Sequence, residues 1–236
     1  MRERLKFERE IRDLGLDSTQ RRAEIGGFWV TLDSLDIVRI ILIDPTGVFK
    51  NKDELRKKFM SELENKFNNL DPNWLKKQYF VFKVEYMPNQ PADKEKAGFK
   101  KLDFPVYLLD KQHGYKTILK LMKQHKIPKI IYGTDIYDLA ENGWKNEANR
   151  GVGIPSGKGY RKVAFIKTHR VFEDATGDLW QAFVNVTAHE IGHMGNRYKH
   201  SKKGLMKYPV PLNKNIDFST DDKYLFLTNL VRLRNL

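Results

Sequence analysis

The chain has 236 residues, no cysteine, 43 Lys or Arg against 30 Asp or Glu, and a formal net charge of +13. The absence of cysteine excludes a disulfide framework, an iron–sulfur cluster, a cysteine-type zinc finger and a cysteine nucleophile. No apolar run approaches the roughly 18 residues that span a bilayer. The first residues of the chain are charged and include no apolar signal segment, so we expect a cytoplasmic protein without a membrane partner. Secretion would require that a leader has been removed.

The first predicted elements are an N-terminal basic arm or packing helix in residues 1–26 and a single domain in residues 27–236. β-branched and aromatic residues between Phe28 and Ile43 predict a strand pair or one long strand. Residues 51–67 carry Leu and Phe at fourfold spacing, which predicts a helix with Asn51 as its N-cap.

Strands and helices alternate in the rest of the chain. We predict strands at 79–86, 104–109, 129–132 and 161–169, and helices at 115–125 and 178–194. The stretch 142–159 is rich in glycine and polar residues and predicts a long surface loop. Its Gly153–Gly159 segment lacks the spacing of a phosphate-binding loop, and no Ser or Thr follows Lys158. This mixture of elements predicts an α/β (α+β) fold.

The segment His189-Glu190-Ile191-Gly192-His193 is the most informative motif of the chain. Two histidines four residues apart lie on one face of a helix, so both imidazoles can reach the same metal ion. The glutamate beside the first histidine can take a proton from metal-activated water. An apolar stripe from Leu179 to Ile191 supports the helix, and Asp178 is the predicted N-cap.

A third protein ligand is expected, because two histidines leave a zinc ion under-coordinated. No Glu follows Glu190 in the chain, which excludes a downstream glutamate ligand. We favour His200, since the Gly195-Asn196 pair can end the helix and turn the chain back toward the ion. The alternatives that the sequence leaves open are Asp217, Asp221 and Asp222.

The stretch from His189 to Pro209, HEIGHMGNRYKHSKKGLMKYP, resembles the zinc-binding stretch of the metzincin metallopeptidases. Their pattern is H-E-x-x-H-x-x-G-x-x-H followed by a Met-turn. Two positions depart from that pattern. Asn196 stands at the family glycine, and Lys199 stands at the family's third histidine, so that His200 lies one residue late.

The resemblance implies one Zn²⁺ per chain, with His189, His193 and His200 as its ligands. It also implies that Glu190 is the general base and that Met206 is the Met-turn methionine beneath the metal. Tyr208 would then ligate zinc or stabilise the oxyanion. The fold that the resemblance implies is a twisted mixed sheet with helices, an active-site helix that carries the zinc ligands, and a small C-terminal subdomain.

The function implied is that of a zinc-dependent endopeptidase, a hydrolase of peptide or protein substrates that uses metal-activated water. Two alternatives stay open. One is a DNA-associated protease similar to the SprT- and WLM-type families, since the net charge makes nucleic acid a candidate partner. The other is a non-enzymatic basic binding module with a structural zinc. Residues 191–216 contain several Lys and Arg but no Asp or Glu. Such a segment forms either a solvated basic rim or a surface that favours acidic substrates or nucleic acid.

Overall fold

The computed structural model describes residues 22–25, 28–31, 36–70, 80–88, 99–131, 133–155, 162–196 and 200–235. Strands β1 (Arg22–Ile25) and β2 (Phe28–Thr31) form an antiparallel pair. The apolar spacing that predicts an N-terminal helix falls before Arg22, outside the described residues, so the division of the chain near residue 26 stays a prediction.

A five-stranded sheet organises the fold, and its strands are β3 (Asp36–Ile43), β4 (Phe80–Met87), β5 (Asp103–Leu109), β8 (Gly151–Ile154) and β9 (Val163–Lys167). Their order is β4-β3-β5-β9-β8, in which only the edge strand β8 runs antiparallel to its neighbour. Every residue of β5 and β9 is buried, as is typical of central parallel strands. Strands β6 (Ile130–Ile131) and β7 (Thr134–Asp135) form a separate short pair.

Helices cover both faces of this sheet, and those in the described residues are α1 (Asp53–Asn68), α2 (Tyr115–Gln124), α3 (Ile136–Lys145), α4 (Thr168–Asp174), α5 (Leu179–Asn196) and α6 (Thr220–Asn235). Successive side chains of a strand point to opposite faces. Accordingly Leu42 packs in the core with α1, α5 and α6, whereas Ile43 packs in the core with α2 and α3. The predicted mixed α/β class is confirmed. None of the helices within these described segments has the length and apolar character needed to cross a membrane.

Two predictions of local structure are wrong. The stretch 142–159 is not one long loop, because α3 continues to Lys145 and β8 is a buried strand. Helix α1 has Lys52 rather than Asn51 at its N-cap, and no side chain caps it. Asn51 instead occupies a left-handed turn with φ of 57°. The sequence patterns give no prediction for helix α6.

Lys162, which directly precedes β9, has a buried ammonium group. Its side chain is 2% exposed, and its Nζ donates a hydrogen bond of 2.6 Å to the Lys101 carbonyl and lies 4.1 Å from the centre of the Phe104 ring. Burial lowers the pKa of this ammonium to about 7, against the opposing charge of Asp103. The folded protein therefore releases the proton of Lys162 at a lower pH than the unfolded chain does.

We expect this difference to make folding stability depend on pH. Between the pKa of about 7 in the folded state and about 10.4 in the unfolded chain, the unfolded state holds more protons. The free energy of unfolding should therefore rise by up to about 1.4 kcal/mol for each pH unit in that interval. Lys162→Met should lose this slope, and the exposed control Lys101→Met should keep it. Urea unfolding at several pH values measures both, and an equal slope in wild type and Lys162→Met would contradict the expectation.

Candidate metal centre

Helix α5 places the first two histidines. Its start is fixed by the Asp178 carboxylate, which accepts hydrogen bonds from the backbone N–H of Trp180 at 2.9 Å and of Gln181 at 3.1 Å. The predicted N-cap is therefore confirmed. The apolar stripe of the helix packs into the core, where Phe183 is fully buried. This packing fixes the rotation of α5 and directs the face with the histidines into a cleft.

Three imidazoles meet at this cleft. The Nε2 atom of His193 lies 3.0 Å from Nε2 of His189 and 3.2 Å from Nε2 of His200. One nitrogen from each ring lies within 4.8 Å of the other two. Zinc–nitrogen bonds of about 2.0–2.1 Å in a tetrahedral site place two such ligands roughly 3.3 Å apart. The three histidines are therefore close enough to bind one metal ion.

The hydrogen bond of His189 orients its ring for this role. Its Nδ1 lies 2.7 Å from the Leu205 carbonyl oxygen, which can only accept, so Nδ1 carries the proton and Nε2 presents its lone pair to the cleft. Burial, followed by the neighbouring His193, lowers the pKa of His189 well below its usual value, and burial also lowers the pKa of His200. Both rings are thus held in the neutral form that binds metals.

The residues after His200 form a loop directly under helix α5. Leu205 and Met206 are fully buried, and a side chain at Gly192 would clash with the sulfur of Met206. Gly192 lies between the two histidines of the helix, so its lack of a side chain lets Met206 approach the helix at the site. The structure thus places Met206 against helix α5 at Gly192, and its role as a Met-turn methionine stays a prediction.

The aspartates that the sequence left open as ligands lie elsewhere. Asp222 is 6% exposed and its Oδ2 accepts hydrogen bonds from Ser201 Oγ at 2.7 Å and Ser219 Oγ at 2.5 Å. Asp217 forms an ion pair of 3.6 Å with Lys66. Of these candidates in the described part of the chain, only His200 joins the two helix histidines in the group that could hold an ion.

Glu190 lies in the same cleft, pressed against the edge strand β8. Its carboxylate accepts a hydrogen bond from the N–H of Gly153, and a side chain at Gly151 would clash with it. Burial raises the pKa of Glu190 to about 8, against the opposing effects of the Gly153 N–H and the Lys167 ammonium. Lys167 is itself held by the Asn146 carbonyl, to which its Nζ donates a hydrogen bond of 2.7 Å.

The two glycines of β8 are functional residues that the sequence reasoning missed. Glycine inside a strand often marks the close approach of another backbone, and the Gly-Val-Gly-Ile run at residues 151–154 carries this signal. A side chain at Gly153 would clash with the Glu190 carbonyl. Both glycines are therefore needed for α5 to pass directly under the edge of the sheet.

Tyr208 lies at the mouth of the cleft. Its hydroxyl donates a hydrogen bond of 2.9 Å to Oδ1 of Asn149, and its ring centre lies 5.1 Å from that of His200. Both Tyr208 and Asn149 line the cleft that contains the three histidines and Glu190. Because Tyr208 is 47% exposed, its hydroxyl can reach a molecule that enters the cleft. The bond to Asn149 could not be read from the sequence.

Comparison with known proteins assigns no family. No protein-family model matches the chain, and no curated protein is significantly similar to it in sequence. The resemblance to metzincins therefore stays a prediction that rests on residues 189–209. The structure supports a more general description: the chain is a mixed α/β protein in which three histidines lie close enough to bind a metal ion.

We expect Asp222 to position the loop that carries His200. Asp222→Ala would remove the carboxylate that accepts hydrogen bonds from both Ser201 and Ser219. Ser201 directly follows His200 in the sequence. Metal affinity should fall by about 10- to 100-fold, as is typical when a group that supports a ligand is lost.

Asp221→Ala is the matched control. Asp221 is exposed and lies in the same first turn of α6, so both variants remove one acidic residue from the helix start. Competition with a chromogenic zinc chelator measures the affinity of each variant. Equal affinities for Asp222→Ala and Asp221→Ala would contradict the positioning role.

Proposed function

We propose that the protein is a zinc-dependent endopeptidase. One observation carries the proposal, namely that three imidazole nitrogens converge in the same cleft as the buried carboxyl of Glu190. An all-nitrogen group suits zinc, and three protein ligands with one open position are typical of catalytic sites. A structural zinc is usually enclosed by four ligands, whereas the group found in the described residues has three.

The cleft supplies the groups that peptide hydrolysis requires. Zinc held by the three histidines would supply the Lewis acidity for the scissile carbonyl. Glu190 must be ionised to act as the base, and the positive charge of a bound zinc would favour that form by lowering the pKa of its carboxyl. The carboxylate then takes a proton from the attacking water and passes it to the leaving amine. The Gly153 N–H fixes the carboxylate in position for both transfers. Tyr208, once its hydroxyl leaves Asn149, donates a hydrogen bond to the developing oxyanion.

The edge strand β8 favours an extended peptide as the substrate. Among the described strands β8 pairs with β9 alone, and three of its residues, Gly151, Val152 and Gly153, line the cleft. An extended chain can add to such a sheet edge through backbone hydrogen bonds. A peptide in that position lies beside Glu190 and the three histidines, where its carbonyl groups can be attacked.

Metal content and cleavage of a denatured protein substrate test the proposal together. We expect one zinc per chain, loss of cleavage on treatment with a chelator, and recovery when zinc is restored. The double variant His189→Ala/His193→Ala, purified in the same way, controls for a contaminating protease. Cleavage that persists in this variant, or a zinc-loaded protein that cuts no peptide bond, would overturn the proposal. The second result would favour a binding module instead.

A further inference from the structure

We infer that the cleft selects peptides with acidic side chains beside the scissile bond. The inference rests on the proposed function, because it concerns which substrates that site accepts. It is carried by residues 200–207, here called the lysine loop, which present the exposed side chains of Lys202, Lys203 and Lys207.

The lysine loop is anchored firmly to the rest of the protein. The Ser201 N–H donates to the Met206 carbonyl at 3.0 Å, and the Leu205 N–H donates to the Asp217 carbonyl at 2.9 Å. Leu205 and Met206 are fully buried, which leaves the three lysines of the loop on its outer surface. Their backbone positions are therefore fixed relative to the cleft, and the ammonium groups form a lasting positive surface.

Both ends of the lysine loop reach the cleft. His200 begins the loop and Tyr208 directly follows it, and both residues line the cleft with Glu190. Lys207 is therefore the immediate neighbour of a residue at the cleft mouth. The three lysines do not themselves line the cleft, so they act on a bound peptide as a charged rim beside His200 and Tyr208. Exposed charges act over roughly 8–10 Å at moderate salt, which is the reach this rim requires.

Within the described residues, the lysine loop keeps a net positive charge. None of its three lysines forms an ion pair within the part of the chain that the structure describes. Asp217 is paired with Lys66, whereas Asp222, held by two uncharged serine hydroxyls, sets one negative charge against the three lysines. Asp221 is exposed to solvent at the start of α6.

The charges on the other wall do not offset this loop. Arg150 lines the cleft there, and its Nε lies 3.0 Å from a carboxylate oxygen of Asp174. A surface of one charge sign beside a cleft raises the local concentration of ligands of the opposite sign, and salt weakens the effect. The lysine loop should therefore favour acidic over basic side chains in a bound peptide.

The surroundings of the loop favour a peptide over a nucleic acid. Single-stranded nucleic acid is usually bound in a basic groove with several aromatic side chains on which the bases stack. Among the described residues 200–208, the exposed aromatic side chain is Tyr208, and its hydroxyl bonds to Asn149. The neighbouring edge strand β8 offers backbone groups, which are suited to a peptide.

Three peptides that share one cleavable sequence test the preference. They carry Glu, Gln or Lys at the positions that flank the scissile bond. At low salt we expect kcat/KM for the Glu peptide to exceed that for the Lys peptide by about tenfold, chiefly through KM, and the difference to shrink at high salt. Equal kcat/KM values for the three peptides would overturn the inference.

Reversing the charges of the three lysines tests whether the lysine loop causes the preference for acidic peptides. The triple variant Lys202→Glu/Lys203→Glu/Lys207→Glu should prefer the Lys peptide. Its matched control reverses three other exposed lysines that lie outside the lysine loop, in helix α2 and the turn before it: Lys111, Lys116 and Lys123. The control has the same net charge as the triple variant and should keep the preference for Glu. If both variants lose the preference equally, overall charge rather than the lysine loop is responsible, and the inference fails.

Binding of the fluorescently labelled peptides to the zinc-loaded protein separates this inference from the proposed function. Cleavage without any acidic preference would overturn the inference alone. Absence of cleavage, with tight binding of the Glu peptide that the triple reversal abolishes, would overturn the peptidase and support acidic-peptide recognition. Displacement of the Glu peptide by single-stranded DNA at lower concentrations than by unlabelled peptide would overturn the inference in favour of nucleic acid.

Discussion

Glu190→Gln is expected to abolish peptide cleavage while zinc binding is retained. Glutamine has nearly the same shape, and its side-chain oxygen can still accept the hydrogen bond from the Gly153 N–H. It cannot take a proton from the attacking water, so kcat should fall by about 10²- to 10⁴-fold. None of the three histidines is altered, so zinc measured by mass spectrometry should stay at one per chain.

Glu147→Gln is the matched control for this experiment. It makes the same chemical change at an exposed position in the connection between α3 and β8, and Glu147 is not among the residues that line the cleft. We expect this control to cleave at the wild-type rate. A Glu190→Gln protein that cleaves equally fast would remove Glu190 from the reaction and would overturn the proposed mechanism.

The centre of the site could be predicted because its geometry is local. Residues four apart in a helix face the same side, so the positions of His189 and His193 follow from the helix alone. Asp178 fixes the start of that helix because its carboxylate accepts hydrogen bonds from the backbone N–H groups two and three residues further along the chain. His200 is only seven residues beyond His193, so a short turn is sufficient to bring it back to the pair.

The contacts that support the site could not be predicted because they join distant parts of the chain. The Tyr208–Asn149 hydrogen bond spans 59 residues, and the Ser201–Asp222 hydrogen bond spans 21. Neither residue pair has a periodic pattern or a characteristic spacing. The role of Gly153 depends on how closely β8 crosses α5, which is set by the packing of the whole sheet on that helix.

Helix α6 shows why one element left no clear pattern in the sequence. An amphipathic helix is recognised by an apolar stripe on one side. The ring of Phe226 packs against Phe67 of α1 and against Phe82 and Phe104 of the sheet, and a side chain at Gly195 of α5 would clash with it. The buried residues of α6, which include Phe226, Leu230 and Leu233, lie along one side of the helix. Tyr224 and Leu225 are apolar but exposed on other sides, so the stripe cannot be recognised from the sequence.

His200→Ala is expected to weaken zinc binding by more than about 100-fold, because a full ligand contributes more than the groups that support it. His113→Ala is the matched control, since it removes an imidazole that pairs with Asp110 at 2.7 Å and does not line the cleft. Zinc affinity of both variants is measured by chelator competition, together with circular dichroism to verify folding.

The outcome of this comparison decides the third ligand. If His200→Ala loses zinc and His113→Ala retains it, His200 is the third ligand. The third histidine of this chain then lies one residue later than in the metzincin pattern. If His200→Ala keeps full affinity, the ligand is another residue, and Asp217→Ala, Asp221→Ala and Asp222→Ala become the decisive variants. Asp217 and Asp221 could reach the ion only if their segment moved, because in the described structure neither belongs to the histidine group.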